Sequence, residues 1–365
     1  MIPLVRATVT EKDRSYLTQR LAAGLLEDDG EVRRFEEAFA QRVHAQGAVA
    51  VNSGTSALQL VLLALGVTPG DEVLIPSYTC VALLNAVAAC GAAAVLVDNE
   101  YDVASARFHM SAADARRCMT SRTRAIIVSH MFGTVLDVDD FDVGLPVVED
   151  FTLSLGALSN GRPSGSLGTV GVCSSHQSKM LSTGRGGVVV ADDEALLDRV
   201  RDLSDYEQAL PTWRYEKLDG LRGQFAPAFS FGMAPMQAAL GISQLGQLDD
   251  FIQRRVQLAR RYTDRFRAAG LVCPEVEPDH SNVFFRYMLE VDHPVSAVLD
   301  TLRNAGIEGG RGVYPPLHVL LNLSDDGFPG ACRCVSRLLS VPVHPSLSDD
   351  ESEYVIDQVL AAARP

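Results

Sequence analysis

Between residues 48 and 192, short runs of apolar and β-branched residues alternate with longer stretches of helical periodicity. Strands that are apolar at almost every position are typical of a parallel sheet, because helices cover both of its faces. The alternation therefore predicts an α/β domain with a mostly parallel central sheet. The predicted strands are AVAVN, EVLIP, AAVLVD, RAIIVSHMF, PVVED, TVGVCSS and GGVVVAD.

The length of the chain predicts a second, smaller domain. Its 365 residues exceed the roughly 250 to 300 at which a single hydrophobic core stops growing. Two helical patterns precede the sheet, and one long helix is predicted from Met236 to Gly270. The strand NVFFRYMLEV and two further helices follow it. We expect residues 1–250 to form an N-terminal arm and a large domain, and residues 251–365 a small C-terminal α/β domain.

Composition excludes several classes of function. The net charge of −14 would repel nucleic acids and anionic membranes, so the expected partners are small molecules. No stretch of 18 or more uncharged apolar residues is present, and the N-terminus lacks a signal-peptide pattern, which predicts a cytoplasmic protein. The seven cysteines include one close pair, Cys332 and Cys334, which is a weak metal signal without partner ligands. We expect no structural metal.

A phosphate-binding turn is the first chemical signal in the sequence. Ser53, Gly54, Thr55 and Ser56 follow a predicted strand and open an apolar helix. Backbone N–H groups at a helix N-terminus, together with nearby hydroxyl groups, bind phosphate well. An ordinary Ser/Thr helix cap would produce the same pattern, so this turn indicates a phosphate site only together with other signals.

Lys179 is the second signal. The chain contains three lysines against 29 arginines, and both Lys12 and Lys217 lie among charged residues. Lys179 instead lies in SSHQSKMLSTGRGG, a loop rich in glycine and hydroxyl groups between two apolar strands. Partial burial there would lower the pKa of the amine enough to make it nucleophilic toward an aldehyde, which a guanidinium cannot be.

Asp150 is the third signal, because it ends the predicted strand PVVED. A carboxylate at a strand terminus can pair with a pyridinium N–H and keep the ring protonated, although capping the next helix is the simpler alternative. Ligands bind beyond the carboxyl ends of parallel strands, where all three signals are predicted to lie. A phosphate turn, a carboxylate and a lysine are together what a pyridoxal 5'-phosphate (PLP) enzyme requires.

The sequence also resembles the DegT/DnrJ/EryC1/StrS family of PLP-dependent aminotransferases over nearly its whole length. The similar segments include VNSGTSALQLVLLALGVTPGDEVLIPSYT, VSHMFG, VVEDFTLSLGA, SSHQSK, MQAALGISQL and YPPLH. The resemblance implies the aspartate-aminotransferase-like fold, fold type I. It also implies transamination in two stages, from an amino acid such as glutamate to a keto-sugar, a keto-cyclitol or a related biosynthetic intermediate. The family forms homodimers with the active site at the interface.

The resemblance assigns roles to individual residues. Lys179 becomes the Schiff-base lysine that moves protons during catalysis, and Asp150 becomes the partner of the pyridine nitrogen. Gly54, Thr55, Ser56 and Ser174 become phosphate ligands.

Four positions depart from the family pattern. Leu153 replaces the usual glutamine near the ring, and Cys80 replaces the stacking aromatic, for which Tyr78 is the nearest substitute. In the segment expected to reach the partner's site, Ser230 replaces an asparagine and Gly232 an arginine. These departures bear on how the ring and the substrate are held, and they point toward specialised metabolism, such as antibiotic biosynthesis.

Two alternatives remain open from the sequence. One is a PLP enzyme that catalyses elimination, dehydration or replacement without transamination. The other is a regulatory homologue that has lost turnover, since a fold alone does not guarantee function. Further candidates are less specific. They are His130 and His176 after strands, Arg311 and Tyr314 before PPLH (315–318), and the segment 205–222 with Trp213, Tyr206 and Tyr215.

Overall fold

A computed structural model describes residues 1–27, 30–206, 227–312 and 315–363 of the chain. It begins with helices α1 (Glu11–Ala22) and α2 (Gly30–Val43), as the sequence predicts. Thr10 caps α1, since its side chain accepts a hydrogen bond from the Asp13 N–H while the Asp13 carboxylate accepts one from the Thr10 N–H. A short 3₁₀ turn, Leu25–Glu27, follows α1.

The central sheet has seven strands, in the order β1-β9-β8-β5-β4-β2-β3. Only β9 runs antiparallel to its neighbours, so the predicted mostly parallel sheet is confirmed. Strands β6 (Leu158–Ser159) and β7 (Arg162–Pro163) form a separate small ribbon. The seven strands of the sheet are β1 (Gly47–Val51), β2 (Glu72–Pro76), β3 (Ala93–Val97), β4 (Thr123–Ser129), β5 (Val147–Asp150), β8 (Val170–Ser174) and β9 (Gly187–Ala191).

Helices cover the sheet because its strands are buried on both faces. The main core joins the apolar sides of helices α3, α4 and α6 to the sheet, with Leu60, Val61 and Ile75 fully buried. A 3₁₀ turn, Val138–Phe141, closes the opposite face near β5. The connecting helices are α3 (Gly54–Ala64), α4 (Val81–Ala89), α5 (Ala112–Cys118) and α6 (Glu194–Ser204).

The single long helix predicted after Met236 is wrong, because the structure forms two helices there. They are α7 (Pro235–Leu245) and α8 (Leu248–Ala268). Gln247 leaves the helical backbone conformation with φ −121°. Its side-chain amide donates a hydrogen bond to the buried Asp13 carboxylate (2.9 Å) and accepts one from the Thr10 hydroxyl (2.8 Å). The break therefore anchors α1 to the junction between the two helices.

The C-terminal part has its own hydrophobic core, to which the second half of α8 contributes Tyr262 and Phe266. This part also contains the antiparallel pair of strands β10 and β11, and the predicted smaller C-terminal α/β domain stays a prediction. Ile2 pairs with Ile307, so the first residues of the chain pack on this part. The boundary at residue 250 stays a prediction. The remaining elements are β10 (Tyr287–Glu290), α9 (Val295–Asn304), α10 (Leu317–Leu320), a 3₁₀ turn (Asp325–Gly327), α11 (Pro329–Arg337), β11 (Leu338–Val341) and α12 (Asp349–Ala363).

Among the described residues, every helix is too short or too polar to span a lipid bilayer.

Candidate active site

The candidate active site lies at the carboxyl edge of the parallel strands. Two adjoining cavities open there, with volumes of about 340 and 420 Å³. We call the first the upper cavity and the second the lower cavity. Five residues line both: Cys80, Asp150, Thr152, Ser178 and Lys179. The structure thus brings the lysine and the carboxylate singled out in the sequence to a single place, the wall that the cavities share.

The loop that carries Lys179 connects β8 to β9 and is closed by its own hydrogen bonds. The Ser175 N–H donates to the Gly186 carbonyl, and the Gln177 N–H donates to the Gly184 carbonyl, both at 2.9 Å. Gly184 has a φ of +80°, which favours glycine over other residues. Lys179 lies at the tip, where its own N–H donates to the His176 carbonyl at 2.8 Å. A closed loop of this kind holds the lysine in a fixed position.

The Lys179 amine lies in a buried and mixed electrostatic environment. Its Nζ is 5.7 Å from the centroid of the Phe285 ring, and within the described residues it makes no hydrogen bond or ion pair. Burial lowers the pKa of Lys179, and Arg286 lowers it further, against the opposing effects of Cys80 and Asp150. A lowered pKa increases the fraction of neutral amine, which is the nucleophilic form.

Asp150 ends β5 and is held by the residue two positions later. The Thr152 N–H donates to the Asp150 Oδ1 at 3.1 Å, and the Thr152 hydroxyl oxygen accepts a hydrogen bond from the Ser174 N–H at 2.9 Å. Thr152 therefore connects the end of β5 to the end of β8. Burial raises the pKa of Asp150, although Thr152, Lys179 and His130 each oppose this effect. A cation brought beside this carboxylate would favour its ionised form.

The lower cavity ends at the N-terminus of α3. Ser53 caps this helix, since its hydroxyl oxygen accepts a hydrogen bond from the Ser56 N–H at 3.0 Å. Gly54 packs so closely on β8 that an added Cβ would lie 2.6 Å from the Ser174 Cβ. Gly54, Thr55 and Ser174 consequently line the same cavity. Backbone N–H groups and hydroxyls converging at the positive end of a helix dipole form an anion site.

The upper cavity is closed by a docked turn. Phe132 adopts a left-handed conformation, with φ +58°, and Gly133 follows with φ +120°. The carbonyls of these two residues accept hydrogen bonds from the Arg286 and Val283 N–H groups at 3.0 and 2.9 Å. This pairing brings Phe285 and Arg286, which immediately precede β10, to the wall of the cavity. Residues in a strained backbone conformation are common at functional sites.

The predicted ring contacts have different outcomes. Cys80 lines both cavities and Leu153 lines the upper one, but their contact with a ring stays a prediction. Tyr78 lines neither cavity, so the structure does not support it as a substitute for the stacking aromatic. Its side chain is fully buried, and its hydroxyl donates to the Arg311 carbonyl at 2.6 Å. Tyr78 therefore lies behind the cavity wall and holds the backbone of Arg311 in position.

Ser56 and Ser230 line neither cavity in this chain. The Ser56 hydroxyl donates to the Asn52 side chain at 2.8 Å. Ser230 is exposed and bridges to Asp205, so a contribution across a subunit interface stays a prediction. Gly232 is likewise exposed, and it pairs with Val51. Trp213, Tyr215 and Tyr314, which the sequence analysis considered for the substrate pocket, lie outside the described residues.

The two candidate histidines differ in their placement. His176 lines the lower cavity, where burial and the charges of Lys179 and Arg185 lower its pKa. His130 is fully buried and lines neither cavity. The Leu136 N–H donates to the His130 Nδ1 at 3.1 Å, so a neutral ring carries its proton on Nε2, which lies 2.7 Å from the Glu149 carboxylate. His130 is therefore a structural residue in this fold.

The close cysteine pair does not place two thiols at one point. Cys334 is buried in the core, whereas the Cys332 Sγ lies 3.8 Å from the His318 Nε2. The Asp325 carboxylate lies 3.3 Å from the same nitrogen, but that side chain is 75% exposed. His318 also bonds the Ser77 hydroxyl at 2.6 Å, which fixes its ring. The expectation of no structural metal stays a prediction.

Sequence reasoning missed several residues of the cavity walls, among them Thr152, Ser178 and Arg286. Ser178 directly precedes Lys179, and Thr152 lies two residues after Asp150, so their closeness in sequence was the available signal. Arg286 gave no such signal, because it immediately precedes β10, far along the chain, and reaches the cavity through the docked turn at Phe132. Arg311, by contrast, was anticipated and lines the upper cavity.

Comparisons with known proteins are consistent across sequence and structure. The model of the DegT/DnrJ/EryC1/StrS aminotransferase family matches residues 7–360. GDP-perosamine synthase from Caulobacter vibrioides is 32% identical, over 95% of each chain. The aminotransferase TlmJ from Streptoalloteichus hindustanus is 30% identical, with a TM-score of 0.87 over 99% of this chain and 98% of that one.

A more distant neighbour bears on the fold alone. The putative sugar aminotransferase Spr1654 from Streptococcus pneumoniae, solved in its PLP-form and its PMP-form, is 24% identical. It has a TM-score of 0.88 and covers 99% of this chain, with 98% of its own PLP-form chain and 97% of its PMP-form chain covered in turn. The fold is therefore the PLP fold of type I that the sequence resemblance implied.

The residues present fit PLP, which is the cofactor of this group of enzymes. Within the described residues, no hydrogen bond engages the Lys179 amine or the Gly54 and Thr55 N–H groups. An amine, a buried carboxylate and a helix N-terminus correspond to the aldehyde, the pyridine nitrogen and the phosphate of PLP.

Proposed function

Because the chain belongs to the DegT/DnrJ/EryC1/StrS aminotransferase family, we propose that it transfers an amino group from an amino acid to a keto-sugar, a keto-cyclitol or a related intermediate. It is a PLP-dependent enzyme, and glutamate is the proposed donor. One observation supports the assignment of Lys179 and Asp150 to the cofactor site. Lys179 and Asp150 share the wall between two cavities, one of which ends at the N-terminus of α3.

The cofactor, when bound, supplies an electron sink for the charge released at the substrate carbon. Lys179 would hold it covalently and then move a proton between the substrate carbon and the cofactor carbon from its Nζ atom. The lowered pKa of Lys179 suits this role, because the amine must accept a proton at neutral pH. Asp150 would stay ionised beside the ring nitrogen, where a positive charge offsets the cost of burying the carboxylate.

The other predicted site residues would hold the cofactor in place. Gly54, Thr55 and Ser174 would bind the phosphate through N–H and hydroxyl groups at the lower cavity. Ser56, which does not line that cavity, stays a predicted phosphate ligand. Cys80 and Leu153 would contact the ring, and both are smaller or less polar than the family's usual residues. Less of the ring would therefore be covered by this chain, which leaves room for a different acceptor.

A sugar acceptor is supported by the relatives. One 32% identical protein is named GDP-perosamine synthase, and a 27% identical solved neighbour is named a sugar aminotransferase. The exact acceptor would depend on the upper cavity and on the residues near Cys80 and Leu153. These departures are our reason for placing the enzyme in specialised metabolism, such as antibiotic biosynthesis.

We also propose a homodimer in the cytoplasm. The exposed Ser230 segment is well placed to reach a second copy, because the matching family segment serves the partner's site. The absence of a bilayer-spanning helix among the described residues is compatible with the cytoplasm, as are the seven cysteines, of which none is paired in a disulfide. Analytical ultracentrifugation would test the dimer, since a monomer at micromolar concentration would contradict it.

The first experiment is a visible absorbance spectrum of the purified protein with PLP, before and after L-glutamate. We expect a yellow band that requires Lys179 and bleaches with the donor. Lys179→Ala is the test variant, and the exposed Lys12→Ala is its matched control. The same protein would then be screened against keto-sugars and keto-cyclitols. A band that never forms, or forms equally in Lys179→Ala, would contradict the proposal.

A further inference from the structure

Three potential metal ligands lie together outside both cavities. They are His318, Asp325 and Cys332, and one ligand atom from each lies within 4.8 Å of the other two. Within the described ranges of the chain, no other three histidine, cysteine, aspartate or glutamate side chains come together in this way. The three residues belong to three successive elements, α10, the 3₁₀ turn at 325–327 and α11.

The distances within the group suit a zinc ion. The Asp325 Oδ1 lies 3.3 Å from the His318 Nε2, and the Cys332 Sγ lies 3.8 Å from the same nitrogen. A tetrahedral zinc ion with bonds of about 2.0–2.1 Å to nitrogen and oxygen and about 2.3 Å to sulfur separates its ligand atoms by about 3.3 to 3.6 Å. A small adjustment of the side chains would therefore bring all three to coordination distance. The Asp325 side chain, which is 75% exposed, has the space to make it.

His318 is already oriented as a metal ligand. Its side chain is fully buried, and its ring stacks on Phe328 with the ring centroids 4.6 Å apart. Its Nδ1 lies 2.6 Å from the hydroxyl oxygen of the buried Ser77. The tautomer that donates from Nδ1 to Ser77 leaves a lone pair on Nε2, the atom nearest Asp325 and Cys332. Histidines that bind metals generally donate their other N–H to such a partner, which fixes the ring.

Backbone hydrogen bonds hold the other two ligands close to His318. The Phe328 N–H donates to the Asp325 carbonyl at 2.9 Å, and the Cys332 N–H donates to the Phe328 carbonyl at 3.0 Å. The start of α11, which carries Cys332, is fixed as well, because the Asp98 carboxylate accepts two of its backbone N–H groups at 2.9 Å each. Ligands that are held in place before binding lose less conformational entropy when an ion binds.

The chemistry of the three side chains selects the ion. A thiolate and an imidazole suit zinc, whereas Mg²⁺ and Ca²⁺ prefer oxygen ligands. Burial raises the pKa of Cys332, and the negative charges of Asp325 and Asp98 raise it further. The thiol is therefore protonated at neutral pH without a metal, and a zinc ion would displace its proton. The same negative charges attract a cation to the thiol.

We propose that His318, Asp325 and Cys332 bind one exchangeable Zn²⁺ ion, with a water molecule as its fourth ligand. The ion would fasten α10 and α11 to the turn after β2, because Ser77 of that turn bonds the His318 ring and its carbonyl accepts the Leu317 N–H at 2.7 Å. The fold does not depend on the ion, since backbone hydrogen bonds already connect these segments. The expectation of no structural metal is therefore unchanged.

Zinc titration of the full-length protein tests the site directly. The protein is used without an affinity tag and in reduced form, loaded with PLP, and a chelator and dialysis first remove metal and unbound PLP. We expect isothermal titration calorimetry to show one zinc ion bound per chain. Co²⁺ in its place should give the absorbance band of a cobalt–thiolate bond in a difference spectrum. Zinc should also raise the midpoint of thermal unfolding by a few degrees, because it binds the folded state. The same titration without PLP separates this proposal from the proposed function, since the site lies outside both cavities.

Four variants identify the ligands. Cys332→Ser should abolish the cobalt band and weaken zinc binding by at least about 100-fold, because a direct ligand matters more than an outer partner, whose loss costs about 10- to 100-fold. Ser77→Ala removes that outer partner and should lose about 10- to 100-fold while the band persists. Asp325→Asn should also weaken binding. The control is Cys118→Ser, since Cys118 is a half-buried thiol 3.9 Å from the Asp114 carboxylate that belongs to no such group among the described residues.

Three results would overturn the proposal. The first is wild-type protein that binds no zinc up to about 100 µM, a concentration that fills even a weak site. The second is wild-type affinity in both Cys332→Ser and Asp325→Asn. The third is an equal loss of affinity in Cys118→Ser and Cys332→Ser. Both ligand variants should fold, because serine is close to cysteine in size and Asp325 is largely exposed.

Discussion

Glu149 and Asp150 are neighbours at the end of β5, but they lie on opposite sides of the sheet and in opposite electrostatic environments. A strand turns successive side chains to opposite faces. Asp150 shares its face with Val148, which packs in the core with α3, and Glu149 shares its face with Val147, which packs near the 3₁₀ turn at residues 138–141. The two carboxylates therefore allow a direct comparison of a structural face with a functional one.

On the structural face, both carboxylate oxygens of Glu149 have hydrogen-bond partners. His130 lies 2.7 Å from its Oε1, and the N–H groups of Gly165, Leu167 and Gly168 donate to it at 2.5, 2.9 and 3.2 Å. Burial opposes ionisation of Glu149, but these hydrogen bonds outweigh burial and hold its pKa below the ordinary value. The Glu149 carboxylate therefore stabilises the fold.

On the functional face, Asp150 has a single backbone donor at 3.1 Å and a cavity in front of it. Burial raises its pKa, because hydrogen bonds do not compensate fully. A buried carboxylate with too few partners costs free energy in the isolated protein, so its persistence points to a ligand that completes it. Adjacent residues of the same charge can thus be separated into structural and functional roles by their partners.

The largest effect is expected on amino transfer, from a substitution of Asp150 on the functional face. Asp150→Asn keeps the shape of the side chain but removes the charge that would keep the ring nitrogen protonated. We expect the rate of amino transfer to fall on the order of 10²- to 10³-fold, as when one electrostatic stabiliser is removed from an active site. The midpoint of thermal unfolding should not fall. Steady-state kinetics and calorimetry on the same preparation would show both, and normal turnover would contradict the assigned role.

The matching substitution on the other face should have the reverse result. Glu149→Gln leaves His130 and the backbone donors without a charged acceptor inside the core. We expect unfolding to become easier by about 3 kcal/mol, typical of breaking a buried ionic arrangement. Denaturant titration would measure this loss. The molecules that remain folded should transfer amino groups at nearly the wild-type rate per bound cofactor. A variant that is fully stable but inactive would reverse the two assignments.

The pH dependence of stability should also have opposite signs for the two carboxylates. The pKa of Glu149 is lowered from 4.5 on folding, so its contribution is present above that pH and is lost as the pH falls through the folded value. The pKa of Asp150 is raised from 3.8, so its contribution is present below that pH and is lost as the pH rises through the folded value.

The variants make these opposite signs measurable in the protein without PLP. The stability gap between wild type and Glu149→Gln should be largest near neutral pH and close below about pH 4.5. The free energy of unfolding of Asp150→Asn should instead increase relative to that of wild type as the pH rises from 4 toward 7. Unfolding free energies would be measured across this range in urea. Parallel curves for all three proteins would mean that neither carboxylate changes its pKa on folding.

The comparison also shows how far the sequence can be used. The parallel sheet and the place of Lys179 and Asp150 at strand ends follow from local patterns, because apolar runs and turn residues are read directly from the chain. The difference between Glu149 and Asp150 does not, since it depends on donors up to 19 residues away at His130 and Gly168. The break at Gln247 was likewise missed, because the hydrogen bond that its side chain makes there is to Asp13, which lies 234 residues earlier in the chain.

The smallest effect is expected from a substitution of Thr152, the residue that orients Asp150 on the functional face. Thr152→Val removes the hydroxyl oxygen that accepts the Ser174 N–H at 2.9 Å. Loss of that acceptor should cost about 1 kcal/mol of stability. It also removes one of the influences that lower the pKa of Asp150, so we expect a further rise in that pKa and amino transfer slower by a few-fold.

Thr79→Val is the matched control for stability, because the Thr79 hydroxyl is buried and finds no hydrogen-bond partner among the described residues. Replacing that hydroxyl with a methyl group of similar size should leave the protein as stable as wild type, or slightly more stable. Equal losses in both threonine variants would indicate that packing alone matters at these positions. A loss confined to Thr152→Val would instead support a hydrogen-bonded link between β5 and β8, one that holds the carboxylate of the functional face in position.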